Sequence, residues 1–80
     1  MHYLIINDYR YDYEGEVRVL GVVHSLKEAK EIFQKFLVGE RKDAQEHGHD
    51  KVIEDTESCF IAEYEEEWSG NYTKLYIQRV

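Results

Sequence analysis

Val17-Arg18-Val19-Leu20-Gly21-Val22-Val23-His24, Ser25-Leu26-Lys27-Glu28 and Ala29-Lys30-Glu31-Ile32-Phe33-Gln34-Lys35-Phe36-Leu37 follow one another without a break, and their reading decides the fold. The first run is rich in β-branched side chains, which suit a pleated and largely buried strand. Ser25 can accept the free amides of a first helical turn, and Glu28 stands where a capping box needs it. Leu26, Ala29, Ile32, Phe33, Phe36 and Leu37 then recur at the spacing of one helix face. A strand therefore turns through a capped serine into an amphipathic helix.

Before this stretch, Tyr3-Leu4-Ile5-Ile6-Asn7 is a continuous apolar run, and Tyr9, Tyr11 and Tyr13 extend it at period two. It reads as a first strand, joined to the second by a turn over Asp12-Tyr13-Glu14-Gly15-Glu16, which makes an antiparallel hairpin. Beyond the helix, Gly39 offers one C-cap and Gly48 another, so the helix ends near Leu37 or near Gln45. Glu46 to Thr56 lacks period and reads as a surface loop. Ser58–Glu65 and Tyr72–Val80 read as strands around a turn at Trp68-Ser69-Gly70-Asn71. The fold class expected is α+β, ββαββ, a four-stranded antiparallel sheet in the order 2-1-3-4 with one helix on one face.

Eighty residues allow one domain, spanning 1–80, and the aromatic content argues against disorder. The net charge of −7 opposes direct nucleic-acid binding, which needs clustered Lys and Arg. Cys59 is the single cysteine, so no internal disulfide forms. No basic-then-apolar leader opens the chain, and no apolar run reaches the ~20 residues of a membrane span. These features predict a cytoplasmic protein.

One helix covers one face of a sheet, yet both faces of the first two strands carry apolar groups. Leu4 and Ile6 alternate with Tyr3, Ile5, Tyr9 and Tyr11; Leu20 and Val22 alternate with Val17, Val19 and Val23. The uncovered face predicts an interface, either a homodimer or a heterologous partner. A fold-back of the segment Glu40–Thr56 over that face is the alternative. The densest charge lies in Glu54, Asp55, Glu57, Glu63, Glu65, Glu66 and Glu67, with no Lys or Arg among them. Carboxylates spaced along a sheet edge can imitate phosphates in a basic groove, whereas the plain reading is a solvated rim. Tyr9, Tyr11 and Trp68 are the aromatic candidates for the same partner surface.

His47-Gly48-His49, flanked by Glu46 and Asp50, supplies two metal ligands and needs others; His2 and His24 are the candidates, although the sequence does not bring them near. Exposed histidines are the plainer reading, with a metal- or small-molecule-binding loop as the alternative. No nucleophile motif surrounds Cys59 and no glycine-rich phosphate loop is present, so neither enzyme activity nor a cofactor is expected.

Tyr11-x-Tyr13-Glu14-Gly15-Glu16-Val17, Leu20-Gly21-Val22, Ser25-Leu26-Lys27-Glu28-Ala29 and Ile61-Ala62-Glu63-Tyr64-Glu65 together resemble a group of small uncharacterised acidic proteins. That group belongs to Gram-positive bacteria, their phages and other mobile elements. The resemblance covers about half of the chain, and it carries over no catalytic residue. It implies a mobile-element setting, in which such proteins inhibit host factors. The function expected is a non-enzymatic acidic protein-binding module, in its sharper form an inhibitor of a basic nucleic-acid-handling protein. A homodimeric structural domain is the alternative.

Overall fold

The computed structural model describes residues 1–11, 14–46, 48, 51–63 and 70–80. Strands β1 (Tyr3–Tyr11) and β2 (Glu14–Val23) form the expected hairpin, and α1 (Leu26–Glu46) follows. The Ser25 hydroxyl accepts the Glu28 amide at 3.2 Å, which places the N-cap where the sequence put it. The helix runs through Gly39, and the Gly48 amide donates to the Gln45 carbonyl, with Gly48 at φ 75° beyond the last turn. The later of the two candidate stops is therefore the one used.

After α1 come β3 (Lys51–Asp55), β4 (Cys59–Glu63) and β5 (Tyr72–Arg79). The sheet has five strands rather than four, in the order β2-β1-β5-β4-β3, and every neighbouring pair is antiparallel. Two expectations are corrected here. Residues 51–55, read as loop, form an edge strand: its side chains are all exposed, so it carries no apolar period, and its ladder with β4 holds it in place. The strand beside β1 is the last one, not the one after the helix. β5 takes the centre because Thr73 and Leu75 are buried on it, and they lie opposite Tyr9 and Asn7 on β1.

The core lies between α1 and one sheet face. Phe33, Leu37, Ala29 and Ala44 of the helix meet Ile5, Leu75, Phe60 and Ala62 of the sheet. Each large side chain buried there contributes roughly 1.5–3 kcal/mol. Phe36 and Leu26, assigned by periodicity to the same helix face, stand exposed at its margins.

β2 departs from simple alternation. Ile5 pairs with Gly21 and Ile6 with Val19, so Leu20 is an extra residue in a bulge and packs against the core. The bulge flips the strand's faces, and Val22 joins Val17 and Val19 on the side away from the helix. Gly15 lies inside β2 opposite Arg10 rather than in the turn. Asp12 and Tyr13 of the turn expected there lie outside the described residues, as do Trp68 and Ser69 of the turn expected at Trp68–Asn71.

Candidate functional site

Two surfaces follow from this arrangement. On the helix side, a cleft of about 240 Å³ opens between the C-terminal half of α1 and the β1–β2 end of the sheet. Asn7, Arg18, Glu40 and Thr73 line it, and none of these was singled out from the sequence. Asn7 is 1% exposed. Its amide donates to the Lys74 carbonyl at 3.0 Å, and its Oδ1 accepts Arg18 Nη2 at 3.0 Å. The Arg18 guanidinium also lies 5.2 Å over the Tyr9 ring, whose hydroxyl donates to Glu16 at 3.1 Å. That hydrogen bond, followed by desolvation, raises the Tyr9 phenol above its usual range.

Thr73 donates to Glu40 at 2.7 Å and so ties the sheet to the helix. Burial raises the Glu40 carboxyl above its ordinary value, against the opposing pull of the Thr73 hydroxyl and the more distant Arg18 charge. The cleft's polar groups thus satisfy one another. A buried polar residue at a core-facing position, such as Asn7 two residues beyond Ile5, is the sequence signal that could have found them.

The far face is different in kind. Val17, Val19 and Val22 of β2 lie in one row and are 63, 56 and 56% exposed. Leu4 and Ile6 flank them on β1, opposite Val22 and Val19. A polar strip follows: Tyr72 donates to Asp8 at 3.1 Å, and Lys74 Nζ lies 4.7 Å over the Tyr72 ring. Burial, then the Asp8 hydrogen bond, raises the Tyr72 phenol. Farther across, the Cys59 thiol is pushed up to about 11 by desolvation and by its hydrogen bond to Glu54. It stays protonated at neutral pH, which disfavours nucleophilic chemistry. Among the described residues no element packs on this face: residues 40–46 continue the helix and 51–55 extend the sheet, so the fold-back alternative does not hold for them.

Among the described residues, the acidic and aromatic candidates lie at separate places. Asp55 meets Arg41 through two hydrogen bonds, 2.7 and 3.1 Å, and Glu57 meets Lys30 at 2.8 Å, so the acidic run draws its counter-charges from the helix. Glu54 and Glu63 lie in β3 and β4, at the far side of the sheet from β2. Tyr9 and Tyr11 sit at the cleft. Glu65, Glu66, Glu67 and Trp68 lie outside the described residues, as do His47 and His49. His2 and His24 do come together, with ring centroids 4.7 Å apart. Among the described residues no group of three or more metal-ligating side chains forms, and no helix is long and apolar enough to cross a membrane.

No protein-family model, curated protein or solved structure matches the chain.

Proposed function

We propose that this chain is a non-enzymatic protein-binding module whose contact surface is the far face of the sheet at β2. The observation that carries the reading is the exposed valine row, Val17, Val19 and Val22, beside the apolar side chains of β1. Association recovers the hydrophobic free energy that a solvated row of this kind forgoes.

The partner that suits the surface is a protein with an apolar patch bordered by cations. The net charge of −7 would steer a basic surface toward the chain. A basic nucleic-acid-handling host protein offers such a border, and its inhibition is the role that the mobile-element resemblance implies.

A photo-cross-linking residue placed at Val19, and separately at Lys35 on the helix, tests this in the cell of origin. Adducts to a second protein are expected from position 19, absent from position 35, and reduced when Val17→Asp is added. Equal adducts at both positions, or none at position 19, would overturn the reading. An adduct of twice the chain's own mass reports self-association and is scored apart.

A further inference from the structure

We infer that a second copy of this chain pairs with the outer edge of β2, antiparallel, about a two-fold axis through Val17. The inference deepens the reading of β2 as a contact surface and rests on it, but it names the occupant of a different part of that strand. β2 is the terminal strand of the sheet, so its outer backbone groups lack a strand neighbour among the described residues. The opposite edge, β3, is five residues long and carries Lys51, Glu54 and Asp55, which blunts it. β2 is ten residues long and contains no proline. It is the edge left open to pairing.

The charges along β2 select a register. A symmetric antiparallel pair places each residue opposite one at equal distance across the axis. With the axis at Val17, Glu16 of each copy stands opposite Arg18 of the other, Val17 faces Val17, and Val19 faces Gly15. With the axis at Arg18 or at Glu16, like charges stand opposite at the seam, which is unfavourable. With the axis at Val19, Arg18 faces Leu20 and Glu16 faces Val22, so neither charge finds a partner. The Glu16 axis also sets Glu14 opposite Arg18, but it opposes Glu16 to Glu16; the Val17 axis alone gives two cross-strand ion pairs with no like charges opposed.

The backbone agrees with that choice. The bulge at Leu20 ends the regular part of β2, and the uninterrupted run before it, Glu14 to Val19, contains the whole Gly15–Val19 segment that a Val17 axis would pair. Five residues from each copy then make roughly four to six inter-strand hydrogen bonds. Glu16 and Arg18 are 54 and 50% exposed, 4.0 Å apart within one copy, and hold their present hydrogen bonds to Tyr9 and Asn7 through one oxygen and one nitrogen, Glu16 Oε2 and Arg18 Nη2. On the far face the seam brings both copies' Val17 and Val19 together, doubling the apolar row into one continuous patch.

Charge exchange tests the register. The native chain is expected to be a dimer by light scattering and sedimentation equilibrium. Glu16→Arg and Arg18→Glu should each weaken the dimer about tenfold or more, because each leaves like charges across the seam. An equimolar mixture of the two variants should restore a one-to-one dimer, read by native mass spectrometry with one copy isotopically labelled. Circular dichroism of each variant verifies the fold. If either reversal disturbs it, Val17→Glu at an exposed position supplies the same reading, by setting two carboxylates on the axis. A native chain that stays monomeric at its highest soluble concentration overturns the pairing. A native dimer that no variant weakens, or a mixture that fails to recombine, overturns this register. A monomer that still cross-links a second protein from Val19 separates failure here from failure of the function proposed above.

Discussion

Glu40 is a carboxylate held in a setting that disfavours its charge. Desolvation raises it above its ordinary value of 4.5, and the Thr73 hydroxyl returns part of that cost. Because the folded state binds its proton more tightly than the unfolded chain does, its contribution to stability is greatest below pH 4.5 and is lost as pH rises through the folded value. Glu40→Gln keeps an oxygen for Thr73 and removes the charge. At pH 7 the variant is expected to match or exceed the native stability, by under about 1 kcal/mol once solvent screening at this partly exposed site is allowed for. Urea unfolding at pH 7 and at pH 4 checks this: the advantage should shrink at the lower pH, and a clear loss of stability at pH 7 would show that the anion is required. Residue-scale features of this sort were only partly legible in the sequence. The Ser25 cap was visible because its partner is three residues away. The Asn7–Arg18 and Thr73–Glu40 contacts were not, because each joins segments that only the folded sheet brings together.

The elements divide by how much of each one's pattern comes from burial. β1, α1, β4 and β5 bury one side, and their apolar period announced them; β2, expected to be largely buried, has no buried residue and only packs Leu20 and Val23 partly against the core. β3 buries nothing, so backbone pairing alone defines it and its sequence resembles a loop. The bulge at Leu20 was equally silent, since it preserves composition while reversing which valines face outward. Gly39 marks a third limit: read as a possible stop, it lies within α1, with nothing within 4 Å of where a Cβ would stand. A glycine at an open helical position costs backbone entropy without serving a turn. Gly39→Ala is therefore expected to stabilise the chain by about 1 kcal/mol, raising the melting temperature by about 4–8 °C. Thermal unfolding followed by circular dichroism reads the shift. An unchanged or lower melting temperature would mean that the site is occupied in a way these contacts do not show.

At the scale of the whole molecule, local hairpins are closed by one long-range pairing. β1 and β5 join opposite ends of the chain, from Tyr3 opposite Arg79 to Arg10 opposite Tyr72, and the His2 and Val80 backbones exchange two further hydrogen bonds. Strand order escaped the sequence for this reason: both β4 and β5 have apolar residues to offer β1, and hydropathy does not rank them. The charge balance, in contrast, is wholly legible in the sequence. Seventeen acidic side chains face ten basic ones, and folding gathers them onto a small surface where their mutual repulsion opposes the compact state. Local attraction acts the other way, through Arg41–Asp55, Lys30–Glu57 and the longer Arg18–Glu16 contact. These pairs are exposed, and exposed pairs contribute only about 0–1 kcal/mol each. Repulsion summed over an excess of seven negative charges should outweigh them at neutral pH. Raising sodium chloride from about 10 mM to about 300 mM shortens the screening length from about 30 Å to well under 10 Å, which removes the long-range repulsion before it removes contacts near 3 Å. The melting temperature at pH 7 is therefore expected to rise by several degrees across that range, measured in dilute protein so that self-association does not enter. Near the isoelectric point of about 5.0 the same titration should leave it almost unchanged. A fall with salt at pH 7 would mean that the ion pairs between α1 and the β3–β4 hairpin contribute more to stability than their exposure allows, and would make Arg41 the next residue to substitute.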